Sequence, residues 1–167
     1  MRRVGEGAAD ETALAALVDR LGNRLGLANL CRLEPRESHL PERAVEVLPG
    51  LAGRGKTTVR WPATAPRPIR LLAPPEPVEA TAPVPDDPPI LFRWRRLLHR
   101  VRRADGPERI AAEWWRAADP AAHLGDPDDI RDYYRVEDET GRRFWLFRAG
   151  LFRPGRPARW FVHGVFA

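Results

Sequence analysis

Gly50, Gly55, Lys56 and Thr57 have the spacing of a phosphate-cradling loop, G-x-x-x-x-G-K-[ST]. Such a loop needs a strand feeding it and a helix starting at the lysine, so that backbone amides aim at the phosphates. Here Thr57, Thr58 and Val59 are β-branched and Pro62 follows within a turn, and no apolar strand ending in an aspartate is available to hold magnesium. A loop is expected, with no nucleotide site. His123, Asp126, Asp128 and Asp129 gather ligand-type side chains but lack the glycine and terminal glutamate of a calcium loop, so a solvated acidic loop is expected there too. His39, His99 and His163 are scattered, and no serine, threonine or cysteine stands beside a base and an orienting acid. No catalytic residue, metal or cofactor is expected, and the chain reads as a binding protein, not an enzyme.

The chemistry that remains is recognition. Of 14 aromatic residues, 13 lie between Phe92 and Phe166, mostly in strand-like runs rich in arginine. Residues 1–88 carry 12 basic and 12 acidic side chains, whereas residues 89–167 carry 16 basic and 11 acidic, so the net charge of +5 sits on the aromatic half. Arginine clamps phosphate and carboxylate, and exposed aromatics stack bases, which together would make a single-stranded nucleic-acid platform. The competing reading is that Phe92, Trp94, Trp145, Phe147 and Trp160 form the core. Only one of the neighbours Tyr133 and Tyr134 can face inward from a strand, so the other is expected at the surface. Lys56 is the only lysine, against 27 arginines, so arginine abundance also fits plain codon bias on a solvated face.

Positioning these residues requires a scaffold, and 43% hydrophobic residues are enough for a core. Leu14, Leu17, Val18, Leu21 and Leu25 form the apolar stripe of a helix capped by Asp10 or Thr12 and ended by Gly26. A short strand over residues 30–33 follows, stopped by Pro35. This segment must pack on something else. Ten of 18 prolines fall between Pro62 and Pro89, which predicts an extended arm with at best edge strands at 69–72 and 78–82. A two-residue turn at Arg95 and Arg96 pairs Trp94 with Leu97, Phe92 with His99 and Ile90 with Val101, although two arginines are poor turn chemistry. Asp105, Pro107 and Glu108 resemble a helix start carrying Ile110, Trp114 and Trp115. Residues 117–129 read as a surface loop, residues 131–137 and 142–148 as a second hairpin turning at Thr140 and Gly141, and residues 160–166 as a central strand apolar on both faces.

Several blocks in order carry a family resemblance: Leu17–Gly22, Pro35–Ala44, Arg67–Leu72, Gly106–Ile110, Trp114–Trp115, Arg131–Asp138 and Arg159–Ala167. They resemble the C-terminal region of ImuB, the Y-family DNA polymerase homologue of the bacterial mutasome. The resemblance implies a part in damage-induced translesion synthesis. It also implies partners, namely an error-prone C-family DNA polymerase and/or a RecA-like accessory protein. The palm, fingers, thumb and most of the little finger have no counterpart here, and no glutamine-led hydrophobic clamp-binding peptide precedes Glu11. Polymerase chemistry and clamp binding are therefore not expected.

The expected architecture is α+β: a helix–strand segment at 1–44, a loop and proline-rich extended arm at 45–88, and a mostly antiparallel β module at 89–167. Cys31, the only cysteine, allows no intramolecular disulfide and is expected to be a buried thiol. No run approaches the roughly 20 apolar residues of a membrane span and Met1–Asp10 has no apolar leader core, so a cytoplasmic protein is expected. The outer face of the first hairpin, with Leu91, Arg93, Leu98, Arg100 and Arg102, is the candidate partner-binding surface; Tyr133 and Arg135 are further candidates.

Overall fold

The computed structural model describes residues 6–49, 66–84, 87–116, 130–151, 155 and 157–167. The phosphate-loop pattern at 50–57 and the acidic stretch at 117–129 lie outside them. The architecture is one N-terminal helix followed by mostly antiparallel β structure, and the chain divides into two units, Met1–Arg60 and Trp61–Ala167.

The first unit contains α1 (Glu6–Leu25) and the antiparallel strands β1 (Cys31–Pro35) and β2 (Val45–Pro49). The helix starts before Asp10, and it ends where Gly26 takes a positive φ of 86°, a conformation that costs glycine little. Leu14, Leu17, Leu21 and Leu25 of the apolar stripe are exposed. Cys31 is exposed as well, contrary to the expected buried thiol, because it begins a sheet that has only two strands among the described residues.

The second unit is a closed six-stranded barrel in sequence order: β3 (Arg70–Thr81), β4 (Leu91–Trp94), β5 (Leu97–Ala111), β6 (Ile130–Asp138), β7 (Arg143–Ala149) and β8 (Arg159–Val165). Each strand is antiparallel to its neighbours, and β3 closes the barrel on β8. Closure leaves the barrel without a free edge.

The first hairpin has the expected register, Phe92 opposite His99 and Trp94 opposite Leu97. Arg95 and Arg96 take φ of 48° and 68°, the left-handed conformation a two-residue hairpin turn requires. Ile90 and Leu97, expected on the inner face, are both exposed, since they stand at the ends of that face. The second hairpin runs from Arg131 opposite Ala149 to Glu137 opposite Arg143, and β8 lies between β3 and β7, as expected.

Two elements differ from expectation. The proline-rich stretch supplies β3, a full barrel strand, not merely an arm. Its pairing with β8 shifts register between Leu71 and Glu76, so Pro74 and Pro75 fall where the regular ladder is interrupted, while Pro77 lies within it opposite Phe161. The segment starting at Asp105 continues β5 and forms no helix until a single 3-10 turn at Trp114–Arg116. Gly106 and Pro107 form a bulge there, because Asp105 pairs with Arg135 and Glu108 with Tyr133. Gly106 has φ 139°, and a Cβ on it would lie 2.7 Å from the Tyr133 carbonyl oxygen.

Inside the barrel, Leu72, Phe92, Tyr134, Val136, Phe144, Leu146, Trp160 and Val162 form the core, with Trp94 partly buried against it. Side chains alternate along a strand, so Tyr133, Trp145 and Phe147 belong to the opposite, outer face. That face is also packed, and Tyr133 and Tyr134 are both buried. The expected exposed tyrosine is therefore absent.

Candidate functional site

The hairpin register sets Leu91 opposite Arg100 and Arg93 opposite Leu98, so four of the sequence-predicted residues make one cross-strand patch. Arg93 and Arg100 are exposed, Leu98 is 52% exposed and Leu91 is half-buried. Arg93 lies 3.7 Å from the Glu79 carboxylate of β3, a solvent-screened pair. Arg102 is exposed beside the patch, at a register shift between Val101 and Arg103 in the pairing of β5 with β6. The result is a mixed apolar and arginine surface on a rigid two-stranded element.

Arg135 stands on the outer side of β6, where its guanidinium lies 3.7 Å from Asp105, and Arg103 lies 3.6 Å from the same carboxylate. Tyr133 does not join any surface. Its hydroxyl shares a 2.7 Å hydrogen bond with His163 Nδ1, and its ring stacks on Trp145 at 4.1 Å. Two guanidiniums sit over this outer cluster: Arg67 is 4.9 Å from the Trp145 ring centre and Arg131 is 5.3 Å from that of Phe147. Arg67 also forks onto Glu108 at 2.5 and 2.6 Å. His163 reaches the cluster because it is the extra residue of a bulge, Trp145 pairing with Gly164 and Leu146 with Val162. Gly164 lets Pro68 approach closely; a Cβ there would lie 2.4 Å from Pro68 Cγ.

Two polar groups within the barrel were invisible to sequence reasoning. Asp132 accepts bonds from Arg109 at 2.7 and 3.0 Å and from Arg148 at 2.7 Å. Burial alone would raise the Asp132 pKa, but the two guanidiniums outweigh it and hold the carboxyl below its usual range. At Asp138, burial again favours the neutral acid. Hydrogen bonds from the Thr140 hydroxyl, His99 Nδ1 and the Arg142 and Thr140 amides prevail and bring its pKa to about 2. His99 stacks on Phe92 at 4.7 Å, which fixes its ring plane. The signal for both networks is an acid and a base on the inward phase of neighbouring strands, which shows only once the pairing is known.

Among the described residues no group of three or more histidine, cysteine or acidic side chains could hold a metal ion, and no helix is long and apolar enough to cross a membrane.

Comparison with known proteins finds "Protein ImuB" from two strains of Caulobacter vibrioides, each 52% identical over 159 residues. The match covers 95% of this chain and 34% of each relative, so the chain spans about a third of the length of the curated relatives it matches and is homologous to that part of ImuB. No protein-family model matches the chain, and no solved structure matches it significantly.

Proposed function

We propose that this chain is a non-catalytic protein-interaction module of a DNA-damage-induced translesion synthesis complex, binding an error-prone C-family polymerase and/or a RecA-like accessory protein. The observation that carries the proposal is the 52% identity to ImuB over 95% of the chain. The hairpin patch supports it physically. Arginine is enriched at protein interfaces, the leucines beside it offer apolar area to bury, and the arginines favour an acidic partner surface. The test is reconstitution: the purified chain is mixed with each of the two partner proteins and complex formation is followed by size-exclusion chromatography. A stable complex with at least one of them supports the reading, and the absence of a complex with each, tested singly and together, overturns it.

The second reading, direct binding of single-stranded nucleic acid, rests on the net charge of +5. A stacking platform needs exposed rings, yet Phe92, Tyr133, Tyr134, Phe144, Trp145 and Trp160 are all buried. Titration against an oligonucleotide separates the readings. Phosphate contacts make log affinity fall linearly with log salt, with a slope of roughly one per contact, whereas a protein interface built on leucine and arginine responds far less.

A further inference from the structure

One mouth of the barrel holds a cleft of about 420 Å³ that neither reading above uses. Its apolar walls are Leu72, Trp94, Leu97, Phe144, Val165 and Phe166. The charged side chains lining it are all arginines: Arg70, Arg95 and Arg142. Arg95 is held in place by Glu76 at 2.6 and 2.9 Å and lies over the Trp94 ring, while Trp94 donates its indole N–H to the same glutamate. Arg142 bonds the Thr140 hydroxyl at 2.9 Å and lies 3.4 Å from Asp138. The rim therefore keeps a positive excess over its two partner carboxylates, with Arg70 contributing to it.

His99 completes the lining. It is 2% exposed, its Nδ1 bonds Asp138 at 2.9 Å, and its Nε2 is buried with no hydrogen-bond partner among the described residues. The Asp138 carboxylate accepts the bond, so Nδ1 carries the proton and Nε2 is the ring atom left to meet an occupant. A buried ring nitrogen left without a hydrogen-bond partner is costly.

We propose that this cleft receives an acidic segment of a partner protein, anchored by a large aromatic side chain with its own hydrogen-bond donor, such as tryptophan or tyrosine. The apolar walls take the ring, His99 Nε2 accepts the N–H or O–H, and the arginine rim pairs with flanking carboxylates. Such an anchor in a desolvated pocket is the usual form of a binding hot spot. Because the occupant is a protein segment, the site rests on the interaction-module reading.

The test uses the full chain and short synthetic peptides: an acidic one with a central tryptophan, the same with phenylalanine or alanine at the centre, and a tryptophan peptide with lysine flanks. Binding is followed by the imidazole and amide nitrogen resonances and by calorimetry. The tryptophan acidic peptide should shift the His99 Nε2 resonance and the amides of Leu97, Phe144 and Val165. Phenylalanine should bind about 5–10-fold more weakly, the loss of one neutral hydrogen bond. Alanine or lysine flanks should abolish the shifts. Leu97→Glu, on the exposed rim, should keep the native spectrum and lose the peptide. Equal binding of the tryptophan and alanine peptides, or no shift at His99, overturns the site. If wild type binds no peptide yet forms the partner complex, the cleft proposal fails and the interaction reading stands. If the peptide shifts His99 but no partner complex forms, the reverse holds.

Discussion

Asp138 receives the Thr140 hydroxyl, two backbone amides and the His99 imidazole. Its folded pKa of about 2 lies below the ordinary 3.8. Its contribution to stability is therefore complete above 3.8 and is lost as pH falls toward 2. Asp138→Asn should lower the thermal midpoint at neutral pH. The gap to wild type should shrink between about pH 5 and about pH 2.5, read from melting curves across that range. A gap that stays constant would mean that the carboxylate charge is irrelevant. At the opposite inner position, Asp132→Ala leaves Arg148 buried without that carboxylate, and should cost roughly 3–5 kcal/mol in denaturant unfolding.

At the scale of elements, the first hairpin turns through two arginines with positive φ, where a Cβ crowds the following carbonyl. Arg96→Gly should stabilise the chain by about 1 kcal/mol, measured as a higher denaturant midpoint at unchanged slope. Arg95 is the wrong place for the same change, because its guanidinium joins Glu76 and covers Trp94. The hairpin could be seen in the sequence because apolar and arginine residues alternate on either side of a two-residue gap. The bulge at Gly106 could not, because Asp, Gly, Pro and Glu in that order are also how helices begin. What decided between them was the Tyr133 carbonyl, packed where any Cβ would have to go. Likewise, prolines are read locally as ladder breakers, and only the β8 register shows which of them meet an interrupted ladder.

Over the whole molecule, the barrel separates buried rings from solvated arginines and leucines. Rings fill the inside and most of the outer face of β6 to β8, while the outer face of β4 and β5 keeps arginines and leucines in water. Replacing Arg93 and Arg100 together with glutamate should leave stability within about 0.5 kcal/mol, since exposed charges cost little. It should weaken the partner complex about tenfold or more by placing the wrong sign in the contact. Native circular dichroism with lost complex formation is the expected pair of readouts. A folded double variant that binds normally would move the interface elsewhere, with the barrel-mouth cleft as the next surface to test.

What the amino-acid sequence determined by itself was local: helix α1, both hairpins and the register of the first, the apolar last strand, the arginine–leucine face, and the kinship to ImuB. Each depends on neighbours a few residues apart or on ordered blocks of identity. Closure of the barrel was decided only by tertiary structure, because it joins β3 to β8 across most of the second unit. Closure also put Tyr133 and Tyr134 both out of water, since the outer side of β6 is covered by Trp145, His163 and Arg67. The pairing of His99 with Asp138 across 39 residues has the same origin. Long-range strand pairing sets which side chains meet, and no periodicity within one strand encodes it.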